Sequence, residues 1–272
     1  MEREEFLIAQ RKLTKICLDV LSDYGFVLAG SGAIREHHLI DRPTQDIDMF
    51  TVQNKQHLFT EAVSTLSAHL DREGYTVKVE RRYETFATLK VSTSTIVLSV
   101  DLGIDARTWR PVEKEIGPTL AIEEAVGSKI AALFSRGEAR DFLDADSIRQ
   151  AGIYTDEQLI ALAKDNDPGF LTDMFAERLL QINDLDYPVF KEYGITNSQL
   201  SAIKKRLTGW AHGIRSSSEK SKAPDQEPWE ITAIKYSSYL VTPSDGQALP
   251  SRNYYEYDYP SSGTPDDTGL SR

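Results

Sequence analysis

The spacing of apolar residues changes character along this chain, and that restricts its fold more than any single residue does. Over residues 2–24, Phe6, Leu7, Leu13, Ile16, Cys17, Val20 and Leu21 recur at helical intervals, and Gly25 suits a left-handed stop. Residues 26–29 read as a short buried strand, Gly30-Ser31-Gly32 turns the chain, and 33–39 fit one or two helical turns. A second strand is expected over 46–52 and an amphipathic helix over 56–72. The period then shortens. Residues 75–80, 86–91 and 95–102 are rich in Val, Ile, Thr and Tyr, as strands are. After Pro118 the pattern stays helical, over 121–135, 140–151, 156–164, 168–181 and 198–212. This order predicts an α+β fold. A mixed sheet flanked by helices is expected over 1–117 and a helical domain over 118–215. From residue 216 Pro, Ser, Gly and Asp dominate without a sustained period, so 216–272 is expected to be a poorly structured, flexible tail, with one short strand near 231–241.

Charge and cysteine content narrow the function classes. The 272 residues carry 31 Lys+Arg against 42 Asp+Glu, a net charge of −11. A generally basic nucleic-acid coat is excluded, and any nucleic-acid site must be a local basic groove on an acidic body. One cysteine, Cys17, allows neither an internal disulfide nor a thiolate zinc site. No apolar run is long enough to span a membrane, and the charged start Met1-Glu2-Arg3-Glu4-Glu5 is not a secretory signal. The expectation is a cytoplasmic protein without membrane contact.

Asp46-Ile47-Asp48 is the main chemical signal. Strand residues two apart share a face, so the two carboxylates project together while Ile47 turns to the core. Such a pair repels itself unless a cation lies between, and magnesium, which takes oxygen ligands and keeps phosphates and waters in its other positions, fits. Upstream, a strand running into Gly30-Ser31-Gly32 and a helix start gathers backbone N–H groups at one point, a cradle for phosphate. Asp101, at the end of the β-rich run, could complete the metal set or take a proton from an attacking hydroxyl. Lys129 sits among Val126, Ile130 and Leu133, where its stem could lie on the core and its ammonium face a triphosphate. Arg136 and Arg140 share a helix face if the helix runs through Gly137, and Asp141 and Asp144 are neighbours one turn apart. Asp141 or Asp144 is placed to orient Lys129 or Arg140. Each feature also has a plainer reading: exposed acids on an edge strand, a serine-capped turn, a solvated salt-bridge cluster. The adjacent His37-His38 points to two faces and is assigned no metal.

Together these residues resemble the DNA-polymerase-β-like nucleotidyltransferase superfamily. The longer string, residues 26–31, Arg42-Pro43-Thr44-Gln45-Asp46-Ile47-Asp48-Met49-Phe50, Lys129-Ile130-Ala131-Ala132-Leu133 and Arg140-Asp141-Phe142-Leu143-Asp144, is similar to the AbiEii/AbiGii toxin family, which includes the MenT toxins. The similarity spans about residues 6–150, more weakly to 212. One departure is the long segment between Ser31 and Asp46, which bears on the role of Ser31. The resemblance implies a nucleoside triphosphate substrate, Mg2+ with Mn2+ as its substitute, a cognate antitoxin, and transfer of nucleotides to the tRNA 3′ end. It also draws in Thr44, at a position where some members carry a phosphorylatable serine. The resulting expectation places Asp46, Asp48 and Asp101 as metal ligands, with Lys129, Asp141 and Asp144 beside them in catalysis. Gly30, Ser31, Thr44, Lys129, Arg136 and Arg140 are expected to bind nucleotide. The alternatives are a nucleotidyltransferase acting on small, antibiotic-type molecules and a non-catalytic nucleotide-binding regulator.

Overall fold

Alternation decides the centre of the molecule. Over Asp46–Val52, Ile47, Met49 and Thr51 are buried on one side while Asp46, Asp48 and Phe50 lie on the other. The computed structural model describes residues 3–42, 44, 46–94 and 96–221. In chain order it contains α1 (Arg3–Val20), β1 (Val27–Leu28), α2 (Gly30–Glu36), β2 (Asp46–Val52), α3 (Phe59–Arg72), β3 (Thr76–Arg82), β4 (Phe86–Ser92), β5 (Val97–Asp105), β6 (Val112–Lys114), β7 (Gly117–Thr119), α4 (Ile122–Ser135), α5 (Ala139–Gln150), α6 (Asp156–Asn166), α7 (Thr172–Leu180), α8 (Pro188–Lys191) and α9 (Asn197–Ser221). The α+β expectation holds. The strands form one mixed sheet in the order β3-β4-β5-β2-β1-β7-β6, with β2 parallel to β5 and antiparallel to β1.

Each sheet face has its own core. Ile47, Met49, Ala87, Leu89, Val100 and Leu102 meet α1 and α3 through Leu13, Leu18, Ala62, Val63 and Leu66. Across the sheet, Val27 and Ala29 join α2 and the helices after β7, including Val126, Ile130, Phe142, Phe175 and Trp210. The Asp46–Asp48 face of β2 therefore borders the helical half, and no helix among the described residues is long and apolar enough to cross a membrane.

The differences from expectation have local causes. The helix after β1 starts at Gly30 itself, so the Gly-Ser-Gly segment is its first turn and not a preceding loop. The helices expected over 121–135 and 140–151 are indeed separate, so the condition for Arg136 and Arg140 to share a helix face is not met. Gly137 takes φ +63°, and Glu138 begins α5 in a capping box with Asp141. Arg136 and Arg140 thus belong to different segments. The short strands β6 and β7 and the single-turn α8 carry too few residues for a visible period. The boundary expected after residue 117 falls inside β7, which pairs with β1 through Leu28 and Thr119. Helix α9 continues to Ser221, past the expected start of the tail, with Arg215 paired to Glu177 and Ser218 donating to Asp173 at 2.9 Å. The strand expected near 231–241 and the remaining tail lie outside the described residues.

Candidate active site

Parallel pairing of β2 with β5 sets Asp48 opposite Asp101 and Asp46 opposite Ser99. Three carboxylates from two strands thus share one face. Asp105, a further acid on β5, sits opposite Val52 at the far end of the strand, where its Oδ1 accepts from the N–H of Ala106 at 2.7 Å. The Oδ1 of Asp101 is buried with no hydrogen-bond partner among the described residues. Burial pushes the Asp101 carboxyl up, the Thr88 hydroxyl opposes that, and Asp46 adds to it. Burial likewise raises Asp48; Lys129 counters it, and Asp101 and Asp46 reinforce it.

Gly30 is required by this arrangement. A Cβ there would stand 1.9 Å from Oδ2 of Asp48, and the residue has φ +54°. The carboxylate therefore lies directly over the first turn of α2, where backbone N–H groups have no partners within the helix. The N–H of Ala29 donates to the carbonyl of Asp48 at 2.8 Å and locks the two segments together.

Beside the acids lies a buried ionic cluster. Lys129 Nζ contacts Asp144 Oδ2 at 2.9 Å and donates to Ser31 Oγ at 2.7 Å. Arg42 grips Asp144 with both arms, Nε to Oδ1 at 2.6 Å and Nη2 to Oδ2 at 2.7 Å, and also donates to Ser31 Oγ at 3.0 Å. The Arg42 guanidinium lies 5.7 Å from the centre of the Tyr193 ring. The Asp144 side chain is fully buried. Burial would raise its carboxyl, but Arg42 and Lys129 outweigh this and hold it below the usual carboxylate range.

The expected residues divide by what they touch. Asp46, Asp48, Asp101, Gly30, Ser31, Lys129 and Asp144 come together. Arg140 stands at the rim, Nη1 3.8 Å from Asp46 and Nε 2.9 Å from Glu138. Asp141 does not touch Lys129. It receives Arg136 through two bonds of 2.8 and 2.7 Å and the N–H of Glu138 at 3.1 Å, so its contacts shape the break between α4 and α5. Thr44 is buried against α1, where Gln10 Nε2 donates to its carbonyl at 2.9 Å and its hydroxyl at 3.1 Å. His37 Nε2 lies 2.8 Å from the Leu120 carbonyl, a backbone contact. Sequence reasoning missed Arg42. Its signal was the long segment after Ser31, which folds back and delivers this guanidinium to Asp144.

A hard cation fits the acids. All donors are carboxylate oxygens, two adjacent acids repel, and one buried oxygen has no partner among the described residues. Among the described residues, however, no three such side chains already surround one point. The expected three-carboxylate set is therefore not closed. The fit is that of a divalent cation bound through one or two carboxylates, with room for oxygen ligands from outside the chain.

Comparison with known proteins gives a family match and similar folds. The family model described as nucleotidyl transferase AbiEii toxin, type IV TA system, matches residues 13–192. No curated protein matches the chain. The solved structure of JHP933 from Helicobacter pylori is similar with a TM-score of 0.52 at 19% identity, covering 81% of this chain and 96% of that one. MenT4, a nucleotidyltransferase toxin from Mycobacterium tuberculosis, is similar with a TM-score of 0.52 at 18% identity, covering 78% of this chain and 85% of its own. At such identities these two likenesses speak for the fold.

Proposed function

The chain belongs to the AbiEii nucleotidyltransferase toxin family, and we propose that it transfers a nucleoside monophosphate from a nucleoside triphosphate to an acceptor hydroxyl at the tRNA 3′ end. Membership makes it a toxin-type nucleotidyltransferase and implies an antitoxin partner. The observation that carries the reading is the placement of Asp48 opposite Asp101, with Gly30 beneath Asp48 and the Lys129–Ser31–Arg42–Asp144 cluster alongside.

In the proposed reaction the acceptor oxygen bonds to the α-phosphorus as the bond from that phosphorus to the α–β bridging oxygen breaks. Pyrophosphate leaves with the electron pair. Asp101, whose buried Oδ1 has no partner among the described residues, accepts the hydroxyl proton or serves as a further metal ligand. Magnesium, with manganese as its substitute, would be held by Asp46 and Asp48 and would neutralise phosphate charge. The first turn of α2 and Ser31 hold the terminal phosphates, and Lys129 offsets the charge gathering on pyrophosphate. Asp144 and Arg42 keep Lys129 and Ser31 in position.

Incubation with labelled nucleoside triphosphates and either total tRNA or candidate hydroxyl compounds tests this directly. Label should enter tRNA. Asp46→Ala should lower incorporation by about 10²–10³-fold or more while the fold survives, because among the described residues the Asp46 side chain pairs only with Arg140, at 3.8 Å. Wild-type incorporation by that variant would remove Asp46 from the site. Label in small compounds alone would favour the antibiotic-type alternative, and binding without pyrophosphate release would favour a regulator.

A further inference from the structure

The sheet carries a second chemical feature on the same face as the acids. Register places Lys78, Lys90, Ser99 and Asp46 in one row across β3, β4, β5 and β2. The next row is Arg81, Thr88, Asp101 and Asp48. Beyond it come Phe86, Gly103 and Phe50, so the acids are bordered along the strands by rings and not by further carboxylates.

Arg81 owes its place to a bulge. Val79 pairs with Leu89, whereas the next paired residue is Arg81, opposite Thr88. In unbroken register Glu80 would face Thr88, and Arg81 would pair with Ala87 on the α3 side. The extra residue replaces an acid by a guanidinium on the face of Asp101. Arg82 takes the α3 side and donates to Thr60 and Ser64 of that helix at 3.0 and 2.8 Å. Electrostatics agrees with the register, since Lys90 and Arg81 both act to lower the Asp101 carboxyl.

Charged residues on an edge strand commonly serve to block sheet-to-sheet pairing. That accounts for Lys78 on β3 but not for Lys90, which lies on β4 with a neighbour on either side. Among the described residues, Lys78, Lys90 and Arg81 form no ion pair within 4.0 Å. Three such cations on one face stand out in a chain of net charge −11.

Their side of the acids matters. The α2 turn and Lys129 flank β2 from the β1 side; the cations flank it from the β4 and β3 side. In an in-line displacement the attacking and leaving oxygens lie on opposite sides of phosphorus. With pyrophosphate leaving toward the α2 turn, the acceptor arrives over β5 and β4. At the usual strand spacing of ~4.8 Å, Lys90 and Lys78 stand about 10 and 14 Å from β2, so they meet groups that follow the reacting hydroxyl.

We propose that Arg81, Lys90 and Lys78 form an acceptor ramp that binds the backbone phosphates of a polynucleotide behind its reacting 3′ hydroxyl. This rests on the nucleotidyl-transfer reading above and assigns the acceptor's binding surface. A small uncharged hydroxyl compound has nothing for three cations in a line to hold.

The test compares wild type with Arg81→Ala/Lys90→Ala in steady-state transfer of labelled nucleotide to total tRNA across a salt series. The double variant should raise the acceptor KM roughly tenfold with the nucleotide KM unchanged. The slope of log KM against log salt should fall by about 0.7 for each cation removed. Lys78→Ala, on the exposed edge, provides a second variant should the double one lose its circular dichroism signature, and it should shift the slope by one such step. Unchanged acceptor KM and salt slope in folded variants would overturn the ramp while leaving transfer intact. A raised nucleotide KM would overturn it too, by assigning the cations to the triphosphate. So would wild-type transfer only to unphosphorylated compounds or to protein. A wild type that transfers to no acceptor would instead sink the underlying reading, and the ramp with it.

Discussion

Asp144 shows how one carboxylate can tie together side chains from separate elements. It is fully buried and holds the buried Lys129 and the largely buried Arg42. Removing it takes the shared carboxylate away from two cations held largely out of water. Asp144→Ala should therefore destabilise the fold by about 3–5 kcal/mol, measurable by urea unfolding at neutral pH. The pH dependence has a definite sign. The folded-state carboxyl is held low, so its contribution is present above the ordinary carboxylate range and is lost as pH falls through the lowered folded value. The stability gap between wild type and Asp144→Asn should therefore be widest near neutrality and narrow in acid. A gap that grows in acid would contradict the assignment. From sequence, Asp141 and Asp144 were equivalent, one turn apart. Tertiary packing separates them, giving Asp144 to Lys129 and Arg42 and Asp141 to Arg136 and the start of α5.

At the scale of elements, the contact between β2 and the first turn of α2 is the narrowest tolerance in the site. A Cβ on Gly30 would collide with the Asp48 carboxylate, whereas one on Gly32 would meet the end of the Leu28 side chain at 2.9 Å. Gly30→Ala should displace Asp48, add strain of about 1–3 kcal/mol at a left-handed position, and remove most transfer activity. Gly32→Ala should cost less, because Leu28 can rotate away. Comparing kcat and melting temperature for the two variants checks the order, and equal effects would deny Gly30 its special role. The Gly-Ser-Gly segment was legible as a turn next to phosphate chemistry. Its inclusion in the helix was not, because a seven-residue helix has too few turns to display a period. The break at Gly137 was legible, since helical periods were expected separately over 121–135 and 140–151; the Glu138–Asp141 capping box that fixes the new start was not.

The molecule as a whole joins its sheet and helical halves through one core. Val27, Ala29, Ala33 and Ile34 pack with α4, α5 and the later helices, and β7 adds a strand beside β1. Unfolding should be a single cooperative transition by calorimetry, with calorimetric and van't Hoff enthalpies in agreement. Two separate transitions would show that the halves are independent. A division at residue 117 would also part Gly30 and Asp48 from Lys129 and Asp144.

Some of this was settled by the chain locally. Two residues apart on any strand share a face, so Asp46 and Asp48 had to project together wherever β2 lay. The shift from strand to helical period likewise announced a sheet followed by helices, since each period buries a different face. Only the tertiary structure decided that Asp101 stands opposite Asp48, that Arg42 returns to Asp144, and that a bulge turns Arg81 toward the acids. Register and helix docking depend on burial between residues far apart in the chain, and a one-residue shift reverses every side chain on a strand.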